Sequence, residues 1–129
     1  MPERRILVID SDAELRAKCT RVFKDEGFQV QDAADSTLAR ELVAQLDFDY
    51  LLCGLEMQDG GGHELIPDLV AEQPQATLIL LTAGGAIDDI PDSVKVGAYD
   101  ALPRSFEAGA LLGLIRRAEE RLRLRAENR

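Results

Sequence analysis

Apolar residues fall in five short blocks along the chain, and each block is followed by a stretch with helical spacing. The blocks are Arg5-Ile-Leu-Val-Ile-Asp10, Phe28-Gln-Val-Gln31, Tyr50-Leu-Leu-Cys53, Thr77-Leu-Ile-Leu-Leu-Thr82 and Tyr99-Asp-Ala-Leu102. The first, third and fourth are nearly continuous in aliphatic residues, the pattern of strands covered on both faces of a parallel sheet. The second alternates, which predicts a place nearer the edge.

Helical segments separate these blocks. Ser11-Asp-Ala-Glu14 has the form of a capping box, so Ser11 is the expected N-cap of the first helix. Leu15, Cys19, Val22 and Phe23 make its apolar face and Gly27 its stop. A second helix is expected over Ser36 to Leu46, burying Leu38, Leu42 and Leu46. The third should form near Ile66 to Ala71, with Pro67 confined to the first turn. Pro91 restricts the fourth to Pro91 to Val96 and leaves Gly84 to Ile90 irregular. The fifth begins near Phe106 and runs towards the C-terminus. Five alternations of strand and helix predict an α/β fold, a doubly wound parallel sheet with right-handed crossovers. Ligands of such sheets sit at the carboxyl ends of the strands, near the switch point. The residues to read are therefore Asp10, Ser11, Asp12, Gly54, Glu56, Thr82 and Arg104.

Composition narrows the function classes. A chain of 129 residues with 46% hydrophobic and 30% charged residues fits one globular domain. Its net charge of −9 repels phosphate backbones and anionic lipid, which speaks against direct nucleic-acid or membrane binding. No apolar run reaches membrane-spanning length and no signal-peptide pattern opens the chain. Cys19 and Cys53 lie among apolar residues at unrelated spacing, as expected of reduced core thiols in a cytoplasmic protein.

The strand ends carry a resemblance. Ile-Leu-Val-Ile-Asp10, Gly27-Phe28, Leu55-Glu-Met57, Gly62, Leu80-Leu-Thr-Ala83, Lys95-Val-Gly-Ala98 and Leu102-Pro-Arg-Ser-Phe106 follow in order with spacing similar to that of response-regulator receiver domains of two-component signalling. The resemblance runs from Ile6 to about Ala118, so residues 1–118 form the expected domain and 119–129 an extension of the last helix. It implies a five-stranded (βα)5 fold like that of flavodoxin, with strand order 2-1-3-4-5. It also implies a site: an aspartate nucleophile ending the third strand, two acidic residues holding Mg²⁺ after the first, and a hydroxyl and a lysine contacting the phosphoryl oxygens. Such chemistry needs a carboxylate, a hard cation on oxygen ligands and fixed donors for the transferred charge.

This chain departs from that set. Asp10 matches the first acidic position, but Ser11 stands at the second and Gly54 at the nucleophile. Thr82 matches the hydroxyl; Arg104 replaces the lysine; Ala101 replaces the aromatic that commonly reports phosphorylation. The expectation is a degenerate pseudo-receiver: not an enzyme, without cofactor, with Asp10 the only remnant of the Mg²⁺ site. Its signalling face holds Pro91, Ala101 and Phe106. The alternative is a working phosphoacceptor using Asp59 or Glu56 with a metal at Asp10. A flavodoxin-like cofactor binder is disfavoured, because no hydroxyl-rich phosphate loop follows the first strand.

Individual residues carry plainer readings as well. Ser11 is a cap before it is a ligand, and Asp12 suits the helix dipole. Arg104 is either an exposed loop arginine or a planar fork onto Asp10 or Glu56, filling the space of the lost aspartate and metal. Thr82 is expected to bond local backbone. His63 reads as a surface residue at a helix start.

The last helix has about 36 Å of reach against strands of about 17–20 Å. Leu111, Ile115, Ala118 and Leu122 form a stripe with coiled-coil spacing, and Glu119 to Arg123 is a favourable i,i+4 pair. This ending resembles the helix that joins receivers to the ATPase domain of sigma-54-dependent activators. The expected partners are a fused output domain or a separate protein, with the stripe supporting a homodimer.

Overall fold

The computed structural model describes residues 4–55, 62–84 and 97–127. Five parallel strands, β1 (Arg5–Ile9), β2 (Gln29–Ala33), β3 (Tyr50–Gly54), β4 (Thr77–Thr82) and β5 (Ala98–Pro103), form one sheet. Their order is β2-β1-β3-β4-β5. Helices α1 (Ala13–Asp25), α2 (Ser36–Gln45), α3 (Gly62–Glu72) and α4 (Ala108–Glu127) complete the described elements. The expected doubly wound sheet is present, with the aliphatic runs β1, β3 and β4 at its centre and the alternating β2 at an edge.

Strand alternation sends the side chains into two cores. Leu7, Ile9, Leu51, Cys53, Leu78 and Leu80 pack with Ala39 and Val43 of α2 and Leu65, Ile66 and Leu69 of α3. Ile6, Val8, Tyr50, Leu52, Ile79 and Leu81 pack with α1 and α4 on the other side. Phe23, Phe28 and Tyr50 form an edge-on aromatic run through that second core. Cys19 and Cys53 are free thiols in the two cores. Burial raises the pKa of each to about 12, which makes them poor nucleophiles.

Four expectations about the helices need correction. Asp12, not Ser11, caps α1, its carboxylate accepting from the amides of Glu14 and Leu15. In α2 the buried stripe is Ala39 and Val43, one position over from the expected leucines; Leu42 and Leu46 are partly buried and Leu38 is 39% exposed. Helix α3 begins earlier than expected, so Pro67 lies inside it. The amide lost there is offset by burying Leu65, Ile66 and Leu69 on either side of it. Fourth, Glu119 binds Arg4 and Arg123 binds Glu120, in place of the expected pair between Glu119 and Arg123. The expected stop at Gly27 is found, at φ 88°, with the Gly27 and Phe28 amides returning to Lys24 and Phe23.

The stripe on α4 is mostly core. Leu111, Ile115 and Ala118 are at most 2% exposed, and they join Leu114 beneath the sheet. Beyond them Leu122 and Leu124 project, at 45% and 46% exposure. Three of the four residues expected in a dimer seam are therefore already occupied in holding α4 to its own domain. The expected helix from Pro91, the irregular Gly84–Ile90 segment, Glu56 and Asp59 fall outside the described residues, Gly84 excepted.

Candidate functional site

The carboxyl ends of β1, β3, β4 and β5 meet around Asp10. Asp10 follows β1 directly, its amide bonded to Ala33 O of β2 at 3.1 Å, and its side chain is fully buried. Arg104 follows β5, where its amide donates to Thr82 O at 2.7 Å. From there its guanidinium turns back across the sheet and forks onto Asp10: Nη2 donates to Oδ1 at 2.8 Å and Nη1 to Oδ2. The Asp12 amide donates to the same Oδ1 at 2.9 Å. The second carboxylate, that of Asp12, stands 3.7 Å from Arg104 Nη2. Of the two readings of Arg104, the structure shows the planar fork, and among the described residues it is Asp10 that the fork holds.

Gly54 ends β3 against this pair. A Cβ placed on it would lie 2.3 Å from Asp10 Oδ2 and 3.4 Å from Arg104 Nη1. Real Cβ atoms do not approach oxygen so closely, so the Asp10 carboxylate occupies the space of any side chain at position 54. Thr82, 5% exposed, donates from Oγ1 to Leu102 O of the neighbouring β5 at 3.5 Å, a bond across the sheet and not the local one expected of it. Ser11 is half-exposed at the start of the loop. Ala101 is partly buried against the core on the α2 and α3 side.

Two basic residues on α1 complete the site, and neither drew attention in the sequence. Arg16 donates from Nη1 to Asp10 O at 2.8 Å and from Nε to Asp32 at 3.0 Å, fixing the backbone that carries the buried carboxylate. Lys18 donates to Phe106 O and lies 4.2 Å from the centre of the Phe106 ring. Phe106 is buried just before α4. Lys18 reaches a residue far along the chain, which no local motif marks, and Arg16 turns back to the strand end just before its own helix. An open groove of about 460 Å³ runs along this side, lined by Asp12, Glu14, Lys18, Arg21 and Arg104 among others. A larger hollow of about 700 Å³ lies at the opposite end of the sheet, between the starts of β4 and β5 and Arg121 of α4, away from the carboxylate site.

A doubly wound domain with an acidic carboxyl-end site is the class that this geometry defines. Its family is that of the response regulator receiver domain, which matches residues 6–116, and the chain belongs to it. A putative NtrX-like response regulator of Rickettsia bellii is 31% identical over 95% of this chain and 26% of its own length. The C4-dicarboxylate transport transcriptional regulatory protein DctD of Rhizobium meliloti is 32% identical over 96% of this chain and 27% of its own. The chain thus spans about a quarter of the length of these relatives. Among solved structures, a Burkholderia pseudomallei response regulator with a phosphorylated aspartic acid is 25% identical, with a TM-score of 0.78 over 94% of this chain and 75% of that one. A CheY-like receiver domain protein from Methanospirillum hungatei shares the fold, with a TM-score of 0.83, 20% identity and coverage of 99% and 100%.

Proposed function

We propose that this chain is a pseudo-receiver: a receiver domain of two-component signalling that takes no phosphoryl group and acts by protein contact. The observation that carries the reading is the pair of buried Asp10 and partly exposed Arg104, standing where a side chain at position 54 would be. Gly54 offers no atom for phosphoryl transfer, and the pair leaves no room for one.

A divalent cation does not suit this donor set. Both oxygens of Asp10 already accept from Arg104, residue 11 supplies a neutral hydroxyl, and position 54 supplies no ligand. Mg²⁺ prefers several oxygen ligands in near-octahedral geometry, and a guanidinium within hydrogen-bond reach repels it. On this reading the domain works without a metal on Asp10 and without phosphoryl-transfer chemistry of its own, as a binding module and not an enzyme.

Contact with a partner then follows from a fixed shape. The NtrX-like relative and DctD are about four times as long as this chain, and DctD is by name a transcriptional regulatory protein. By analogy, the exposed end of α4 leads to an output domain of a similar regulator, as the resemblance to sigma-54-activator linkers implies. The exposed Leu122 and Leu124 would face that partner.

Incubating the protein with Mg²⁺ and a small acyl-phosphate donor, followed by intact-mass measurement, tests this reading. The expected spectrum shows the unmodified mass alone. A gain of one phosphate that disappears on mutating Asp59 or Glu56 would establish the working phosphoacceptor instead.

A further inference from the structure

We infer that Arg104 is the resident cation of this site, excluding divalent ions from Asp10 and holding the loop between β5 and α4 in one position. A fully buried carboxylate is sustained only where a positive charge and hydrogen bonds compensate it. Both oxygens of Asp10 accept from one guanidinium, and that cation belongs to the chain itself. Arg104 reaches four elements at once: Thr82 of β4 through its amide, Asp10 after β1 and Asp12 at the start of α1 through its guanidinium, and β5 by direct continuation. Two residues further on, Lys18 of α1 holds Phe106 by its carbonyl and by its ring. The loop that leads into α4 is thus tied twice to the α1 side of the sheet.

Planarity is what makes arginine suited to this place. A guanidinium satisfies both oxygens of one carboxylate in a single plane, whereas a lysine ammonium reaches them as a point charge. Without the fork, Asp10 keeps a buried negative charge beside the carboxylate of Asp12, and a divalent cation from solution then finds an open carboxylate there. The guanidinium is therefore a structural tie and, by the same contacts, a barrier to metal.

Thermal melts of the wild type, Arg104→Lys and Arg104→Ala, each with Mg²⁺ and with NaCl of equal ionic strength, test this. The wild type should melt at the same temperature in both salts. Arg104→Ala should melt about 10 °C lower in NaCl and recover part of that loss in Mg²⁺. Amide exchange over Leu102 to Phe106 should quicken at least tenfold in Arg104→Ala. If that variant does not fold, Arg104→Lys carries the test, with a smaller loss of melting temperature and faster exchange over the same residues. A wild type stabilised by Mg²⁺ as strongly as the variant, or variants that lose no stability and no protection, would overturn the inference. This rests on the same Asp10–Arg104 pair as the proposed function; the melts read the pair itself, whereas the mass spectrum reads phosphoryl transfer, so a failure of either is seen separately.

Discussion

Gly54→Asp should leave the domain unphosphorylated and less stable by about 3 kcal/mol. Restoring a carboxylate at the end of β3 looks like a repair, but the place is taken. The new Cβ meets Asp10 Oδ2 at 2.3 Å and the Asp10 Cγ at 3.1 Å. Asp10 is fully buried and forked by Arg104, so it cannot yield without breaking the ion pair. A second buried carboxylate beside the first also raises the cost of ionising both. Gly54→Ala separates the two effects, since it adds the clash without the charge and should lose a smaller share of the stability. Urea unfolding of both variants, with intact-mass measurement after exposure to donor and Mg²⁺, gives the answer. A Gly54→Asp protein as stable as the wild type, or one phosphorylated efficiently, would show that Asp10 and Arg104 do not close the site.

The second large effect lies at the other end of the sheet. Gln73, just after α3 and 7% exposed, donates from Nε2 to Val43 O and Leu46 O at 2.8 and 2.7 Å. Its Oε1 accepts from the Phe48 amide at 3.0 Å, so one side chain ties the end of α2, the approach to β3 and the end of α3. Gln73→Leu keeps the volume and removes the partner of three backbone groups, two in buried contacts and one partly buried. Each unsatisfied group costs about 1–3 kcal/mol, and partial hydration lowers the sum, so the expected loss is about 3 kcal/mol. Gln73→Glu keeps the acceptor and removes both donors, and should destabilise as well. Urea unfolding reads both, and a Gln73→Leu protein within about 0.5 kcal/mol of the wild type would show that water replaces these bonds.

How far the sequence reveals all this depends on the range of the interaction. The sheet was legible because fully buried strands write themselves as unbroken aliphatic runs, as Ile6 to Ile9 and Leu78 to Leu81 do. Gly27 was legible because its demand is local, a positive φ at a helix end. The cap of α1 was misplaced because Ser11 and Asp12 both satisfy cap chemistry, and only the path of the chain from Asp10 chooses between them. The stripe on α4 was legible as apolar but not as to its partner: a heptad-like spacing fits a second helix and a sheet face equally well. Arg104 was legible as a candidate, since a guanidinium at a strand end near an aspartate invites a fork. Arg16, Lys18 and Gln73 were not, because each acts on backbone brought near only by folding.

The most direct test of a permanently occupied site is the amide NMR spectrum of the wild-type chain, recorded alone, with Mg²⁺, and with Mg²⁺ and an acyl-phosphate donor. Resonances of Asp10 to Asp12, Thr82 and Leu102 to Phe106 surround the pair and should keep their positions through all three conditions. Shifts concentrated on these residues on adding Mg²⁺ or the donor would contradict it, because they would mean that the Asp10–Arg104 pair opens to admit a ligand.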